Sequence, residues 1–99
     1  MIGKYLDCTT GHITKKDDLL LQAEYRAADG PVSVGRYLYG MIIFLPFKEE
    51  IEDELKKIKE WGYSDDFISL IKYASSKEAT LLVLDRDGQV IDGLNVNDW

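Results

Sequence analysis

The segment Tyr37–Leu45 constrains this chain most. It is rich in aromatic and β-branched residues, its last five residues, Met41 to Leu45, are apolar on both faces, and Pro46 stops it. Such a run predicts an interior strand covered on at least part of both sides. From Phe47 the period changes: Ile51, Leu55 and Ile58 are spaced four and three apart among charged residues, as on an amphipathic surface helix. Acidic residues lead in that segment and lysines follow, which complements the helix dipole. A strand in need of cover beside a helix with one apolar face predicts a sheet with helices stacked against it.

The rest of the chain fits around that unit. Ile2 to Cys8 reads as a strand and Thr9 to Ile13 as a turn. Thr14 then caps a helix over about residues 15–28, with Asp17 three residues on closing a capping box. The apolar positions of this helix are Leu19, Leu20, Ala23 and Ala27, and Gly30-Pro31 ends it through a left-handed cap. Val32 to Gly35 is a loop or strand entrance. Trp61-Gly62 ends the second helix, and Ser64-Asp65-Asp66 caps a third with the inner stripe Phe67, Leu70, Ile71 and Ala74. Thr80 to Leu84 is a buried strand. Asp85-Arg86-Asp87-Gly88 predicts a hairpin turn with Gly88 left-handed, after which Gln89 to Asp92 returns antiparallel. The order β-α-β-α-α-β-β predicts an α+β fold, a single mixed sheet of three to four strands packed with three helices, in one domain over residues 1–99. A right-handed crossover is expected if the first strand pairs in parallel with Tyr37–Leu45.

Charge restricts the choice of partner. The formal net charge is −6, which opposes direct nucleic-acid binding. Residues 1–45 hold five basic and five acidic groups, whereas residues 46–99 hold seven and thirteen, so the whole excess follows Pro46. A surface carrying Glu49, Glu50, Asp53, Glu60, Asp65 and Asp66 could be a solvated helix face, a contact for a basic protein, or a phosphate mimic that inhibits a nucleic-acid enzyme. The mimic requires a continuous acidic stripe without interleaved lysines. The single Cys8 forms no internal disulfide, no apolar run is long enough for a membrane span, and no signal segment opens the chain, so a cytoplasmic location is expected.

Few residues offer chemistry. His12, the only histidine, either donates to a backbone carbonyl and seats the first helix, or joins Asp7, Asp85 and Asp87 in a ligand or catalytic site. Cys8 is a small buried hydrophobe or a nucleophile relieved of its proton by His12. Thr9-Thr10-Gly11 before a helix suits an anion. Asp85-Arg86-Asp87-Gly88 matches the start of a calcium loop but lacks the closing Glu, so no metal or cofactor is expected. Tyr5, Tyr25, Tyr37, Tyr39, Tyr63, Tyr73, Trp61 and Trp99 are a heavy aromatic load, mostly for the core or its edge, with any exposed cluster marking an interface. Trp99 either plugs the sheet or meets a partner.

Three stretches carry a resemblance: Thr10-Gly11-His12-Ile13-Thr14, the Tyr39-Gly40 strand ending at Pro46, and Leu84-Asp85-Arg86-Asp87-Gly88-Gln89-Val90-Ile91-Asp92-Gly93-Leu94 through Asp98-Trp99. They resemble a small uncharacterised family from bacteria, plasmids and phages, with S-T-x-H-[IL]-T before a helix and a terminal D-x-D-G-x-x-x-D-x-L followed by an acidic-Trp pair. The chain departs from that pattern at Cys8-Thr9-Thr10, at Gly11, and at Asn95 and Asn97, where the family tends towards proline and an aromatic. The resemblance implies a bacterial or mobile-element context and a shared fold, and no activity. The expectation is a non-enzymatic interaction or accessory protein with a protein partner, self-association being possible. Thr10, His12, Asp85, Asp87 and Trp99 are its candidate binding residues. If His12, the Asp85–Gly88 turn and Trp99 meet in space, they form one site.

Overall fold

The computed structural model describes residues 4–27, 30–37 and 40–97. Its elements are β1 (Tyr5–Thr9), a 3-10 turn (Thr10–His12), α1 (Lys15–Ala27), β2 (Ser33–Tyr37), β3 (Gly40–Phe44), a second 3-10 turn (Lys48–Glu50), α2 (Ile51–Trp61), α3 (Asp65–Ser76) and β4 (Leu81–Asp85). The expected strand start at Ile2, residues Leu38 and Tyr39, the last expected residue of the first helix, and Asp98-Trp99 lie outside the described residues. The strands form one mixed sheet in the order β1-β4-β3-β2, with β1 and β4 parallel and the other neighbours antiparallel. With three helices against it, this is the expected α+β fold.

Local signals set the helix starts. Asp17 N–H donates to Thr14 Oγ1 at 3.2 Å and Thr14 N–H to Asp17 Oδ2 at 2.9 Å, so the capping box closes in both directions. Ser64 Oγ accepts from Phe67 N–H at 3.2 Å and caps α3. Leu55 and Ile58 of α2 and Phe67, Leu70, Ile71 and Ala74 of α3 meet Cys8, Met41, Ile43, Leu82 and Leu84 of the sheet in one buried core. Tyr63, between α2 and α3, stacks on Phe67 with ring centroids 4.6 Å apart.

Several expectations change. Gln89 to Asp92 does not return along β4: no strand forms there, and the Gln89 carbonyl accepts from Thr9 N–H at 2.9 Å, beside β1. The Asp85–Gly88 turn therefore leads the chain across to the neighbouring strand. Gly88 is not left-handed; positive φ among the described glycines occurs at Gly62 and Gly93. Gly88 is instead pressed onto β1, where a Cβ would stand 2.4 Å from the carbonyl carbon and oxygen of Cys8. Gly30 is likewise no left-handed cap. A Cβ there would collide with the Glu24 carboxylate.

The apolar stripe of α1 is also displaced. Leu19, Ala23 and Ala27 face solvent, and the residues α1 buries are Asp17, Leu21 and Glu24. That set keeps helical spacing but includes two acids, which a hydrophobic pattern cannot register. Segment Tyr37–Leu45 divides into the end of β2 and all of β3, joined as a hairpin in which Val34 pairs with Ile43 and Arg36 with Met41. Ser33–Tyr37 has weak strand composition and is a strand because β3 pairs with it. The first strand therefore does not pair with this segment, and its parallel neighbour is β4.

Cover on both sides of the sheet is the remaining correction. Leu6, Cys8, Met41, Ile43, Leu82 and Leu84 point to the helices. On the opposite face Tyr5 is 67% and Phe44 53% exposed, with Ile42, Leu81 and Val83 half-buried and outside the core cluster. All three helices pack on one face, and among the described residues no helix covers the other.

Candidate functional site

His12 ends the turn after β1, and β1 lies beside β4 with Thr9 opposite Asp85. The N-terminal and C-terminal motifs therefore meet at the carboxyl ends of two parallel strands. His12 is 1% exposed; its Nε2 accepts from Ile91 N–H at 2.8 Å, and its Nδ1 lies 2.8 Å from the Asn95 carbonyl oxygen. An accepting Nε2 places the proton of a neutral ring on Nδ1, which donates to Asn95. One side chain thus binds two points of the C-terminal segment. Asn97 adds its N–H to the Gly11 carbonyl at 2.6 Å and its Nδ2 to the carbonyls of Gly11 and Ile13, both at 3.2 Å. Asp66 of α3 accepts from Asn95 Nδ2 at 2.9 Å and Asn97 Nδ2 at 3.0 Å. Ile91 and Leu94 pack against the core between these polar anchors.

Thr10, His12, Asp85 and Asp87 accordingly share one end of the sheet, while Trp99 falls outside the described residues. Sharing an end does not make them a reaction centre. Both nitrogens of His12 hold backbone groups, and Asp85 Oδ1 accepts from Asp87 N–H at 2.9 Å within its own turn. Among the described residues no three His, Cys, Asp or Glu side chains stand together as a metal-ligand set. Cys8 is fully buried, and burial followed by the negative charge of Asp7 pushes its thiol up to about 12, the opposite of an activated nucleophile. The anion position at the start of α1 is filled by the protein itself.

That internal anion is Asp17. Besides closing the capping box, its Oδ1 accepts from Ser64 N–H at 2.8 Å and its Oδ2 from Ser64 Oγ, so one buried carboxylate serves the first turns of both α1 and α3. Glu24 is placed similarly on the same face of α1, two turns further along. It accepts from Val32 N–H at 3.0 Å and from the Tyr63 hydroxyl. Burial, then the hydrogen bond and charge of Glu24, raise the Tyr63 hydroxyl above its ordinary value. Sequence reading missed Asp17 and Glu24 as buried anchors; their helical spacing with Leu21 was the available signal.

The acidic candidates are dispersed. Glu49, Glu50, Asp53 and Glu60 are exposed among the equally exposed Lys48, Lys56, Lys57 and Lys59. Lys59 pairs with Asp65 at 2.7 Å and lowers its carboxyl, Lys57 pairs with Glu54 at 3.4 Å, and Asp66 belongs to the asparagine network. The lysines interleave with the acids, and the phosphate-mimic reading loses the stripe it required.

The aromatics divide sharply. Tyr63 is in the core, whereas Tyr5, Tyr25 and Trp61 are 67%, 46% and 46% exposed. Trp61 lines a shallow groove with Pro31, Lys57 and Glu60. On the open sheet face, Tyr5, Leu81 and Phe44 stand in one row and Val83 and Ile42 in the next, with Asp7 at the β1 edge. The Phe44 ring leans over Gly35 of β2, its Cε2 3.6 Å from where a Cβ would be. Phe47, 76% exposed, follows β3 across Pro46.

No helix among the described residues is long and apolar enough to cross a membrane. No curated protein and no solved structure matches the chain. A profile for the C-terminal domain of a family of unknown function, DUF5983, matches residues 5–99, a span that includes both the His12 motif and the C-terminal segment it holds. The chain belongs to that family.

Proposed function

We propose that the chain is a non-enzymatic interaction module, a cytoplasmic accessory protein of a bacterium or mobile element, that contacts a protein partner through its open sheet face. The observation that carries this reading is the face itself: Tyr5 and Phe44 exposed in one row, on a sheet whose other side carries the buried core. The side chains best suited to chemistry are engaged in holding the fold, His12 by two backbone groups and Asp17 and Glu24 by caps and loops. The −6 charge works against nucleic acid as the ligand of that face.

A photoreactive phenylalanine analogue at position 44 of the full chain, expressed in its native host, tests this. A discrete cross-linked adduct from position 44, and none from the same probe at Glu52 on the exposed side of α2, is the expected result. Adducts from position 52 alone, or from neither position, overturn the proposal.

A further inference from the structure

Resting on that reading, we infer that the occupant of the open sheet face is a second copy of this chain, joined face to face about a two-fold axis that runs along the strands. The face has an apolar centre between two unlike edges: Ile42, Phe44, Leu81 and Val83 lie on the two central strands, Tyr5 and the charged Asp7 on one edge strand, and the small Ser33 and Gly35 on the other. This is the arrangement of an interface core and rim. It lacks the anionic cluster that a basic partner would seek.

Charge chooses the axis. A two-fold across the strands lays β1 on β1 and sets Asp7 against Asp7. A two-fold along the strands lays β1 over β2 and β4 over β3. It puts the bulky Tyr5 edge of each copy above the small Ser33 edge of the other and keeps the two Asp7 carboxylates on opposite margins. Two open sheets then close into a sandwich with inner faces of equal size.

Area sets the strength. Four strands at about 4.8 Å and five residues at about 3.3 Å give a face of about 300 Å² in projection. Roughened by side chains, two such faces bury on the order of 1,000 Å², the lower bound for a specific interface. The dimer is therefore weak and concentration-dependent. Because each copy carries −6, screening by salt strengthens it, whereas salt weakens the grip of a basic partner.

Sedimentation equilibrium of the full chain, from low micromolar to near-millimolar concentration at low and high salt, tests the inference. The mass is expected to rise from 11.3 kDa towards twice that value, and to do so at lower concentration in high salt. Phe44→Lys weakens association by roughly tenfold or more, as loss of a central aromatic anchor does. Tyr5→Lys is the second variant, and Glu52→Lys, off the face, leaves association intact. A monomer at every concentration overturns the inference, as does a dimer indifferent to both face substitutions. If position 44 cross-links a different polypeptide while the chain stays monomeric, the inference falls and the interaction module stands.

Discussion

The two ends of this molecule's chemistry are opposites. Where β1 and β4 end, polar groups are paired: the buried His12 holds Ile91 and Asn95, Asn97 holds Gly11 and Ile13, and Asp66 holds both asparagines. Across the outer face of the same sheet, Tyr5 and Phe44 stand exposed in one row. Residues that look chemical in the sequence build structure, while residues that look structural are left exposed on the sheet. Directional bonds fix one arrangement of a chain, and exposed apolar area rewards any surface of matching shape.

The sharpest way to break the comparison is to remove a polar anchor. Asp17→Ala leaves the N–H groups of Thr14 and Ser64 and the Ser64 hydroxyl without their acceptor, and is expected to cost about 3 kcal/mol in urea unfolding. His12→Ala follows, at about 2 kcal/mol, because the partners it orphans can rehydrate near the surface. Amide exchange should distinguish the two: His12→Ala accelerates Ile91 and Asn97 and leaves α2 protected.

A more gradual effect comes from alkali. The unfolded chain releases the Cys8 proton from about 9, the folded chain only near 12, so stability is full below that window and declines across it by about 1.4 kcal/mol per pH unit. The raised Tyr63 hydroxyl acts in the same direction. Cys8→Ala removes the thiol's part of the slope, which urea titrations at several alkaline pH values measure. Smallest of all is Phe44→Lys, expected within about 0.5 kcal/mol of the parent because the ring is already half in water. A large loss there would mean that the face belongs to the core.

What could be read from sequence was local. Thr14 and Asp17 are three residues apart, Ser64 and Phe67 likewise, and the stripes of α2 and α3 repeat within a few turns; all of these form as expected. What could not be read depends on partners far along the chain. Asp17 reaches Ser64 across 47 positions, Gln89 leaves β4 for Thr9, and Ser33–Tyr37 becomes a strand only beside β3. The Asp-Gly turn gave the position of a reversal without its destination, since a turn's composition fixes its bend and not its neighbour. The open face was hidden for a related reason. An apolar run looks the same whether its second side meets a helix or water.

The shared carboxylate of Asp17 has a consequence for how the chain opens. Two helices that begin on one anion cannot fray independently, because losing either first turn removes donors that stabilise the charge for the other. Residues 14 and 64 thus belong to one cooperative unit, and the stretch between them, β2 and β3 included, is closed as a loop whenever that anion is in place.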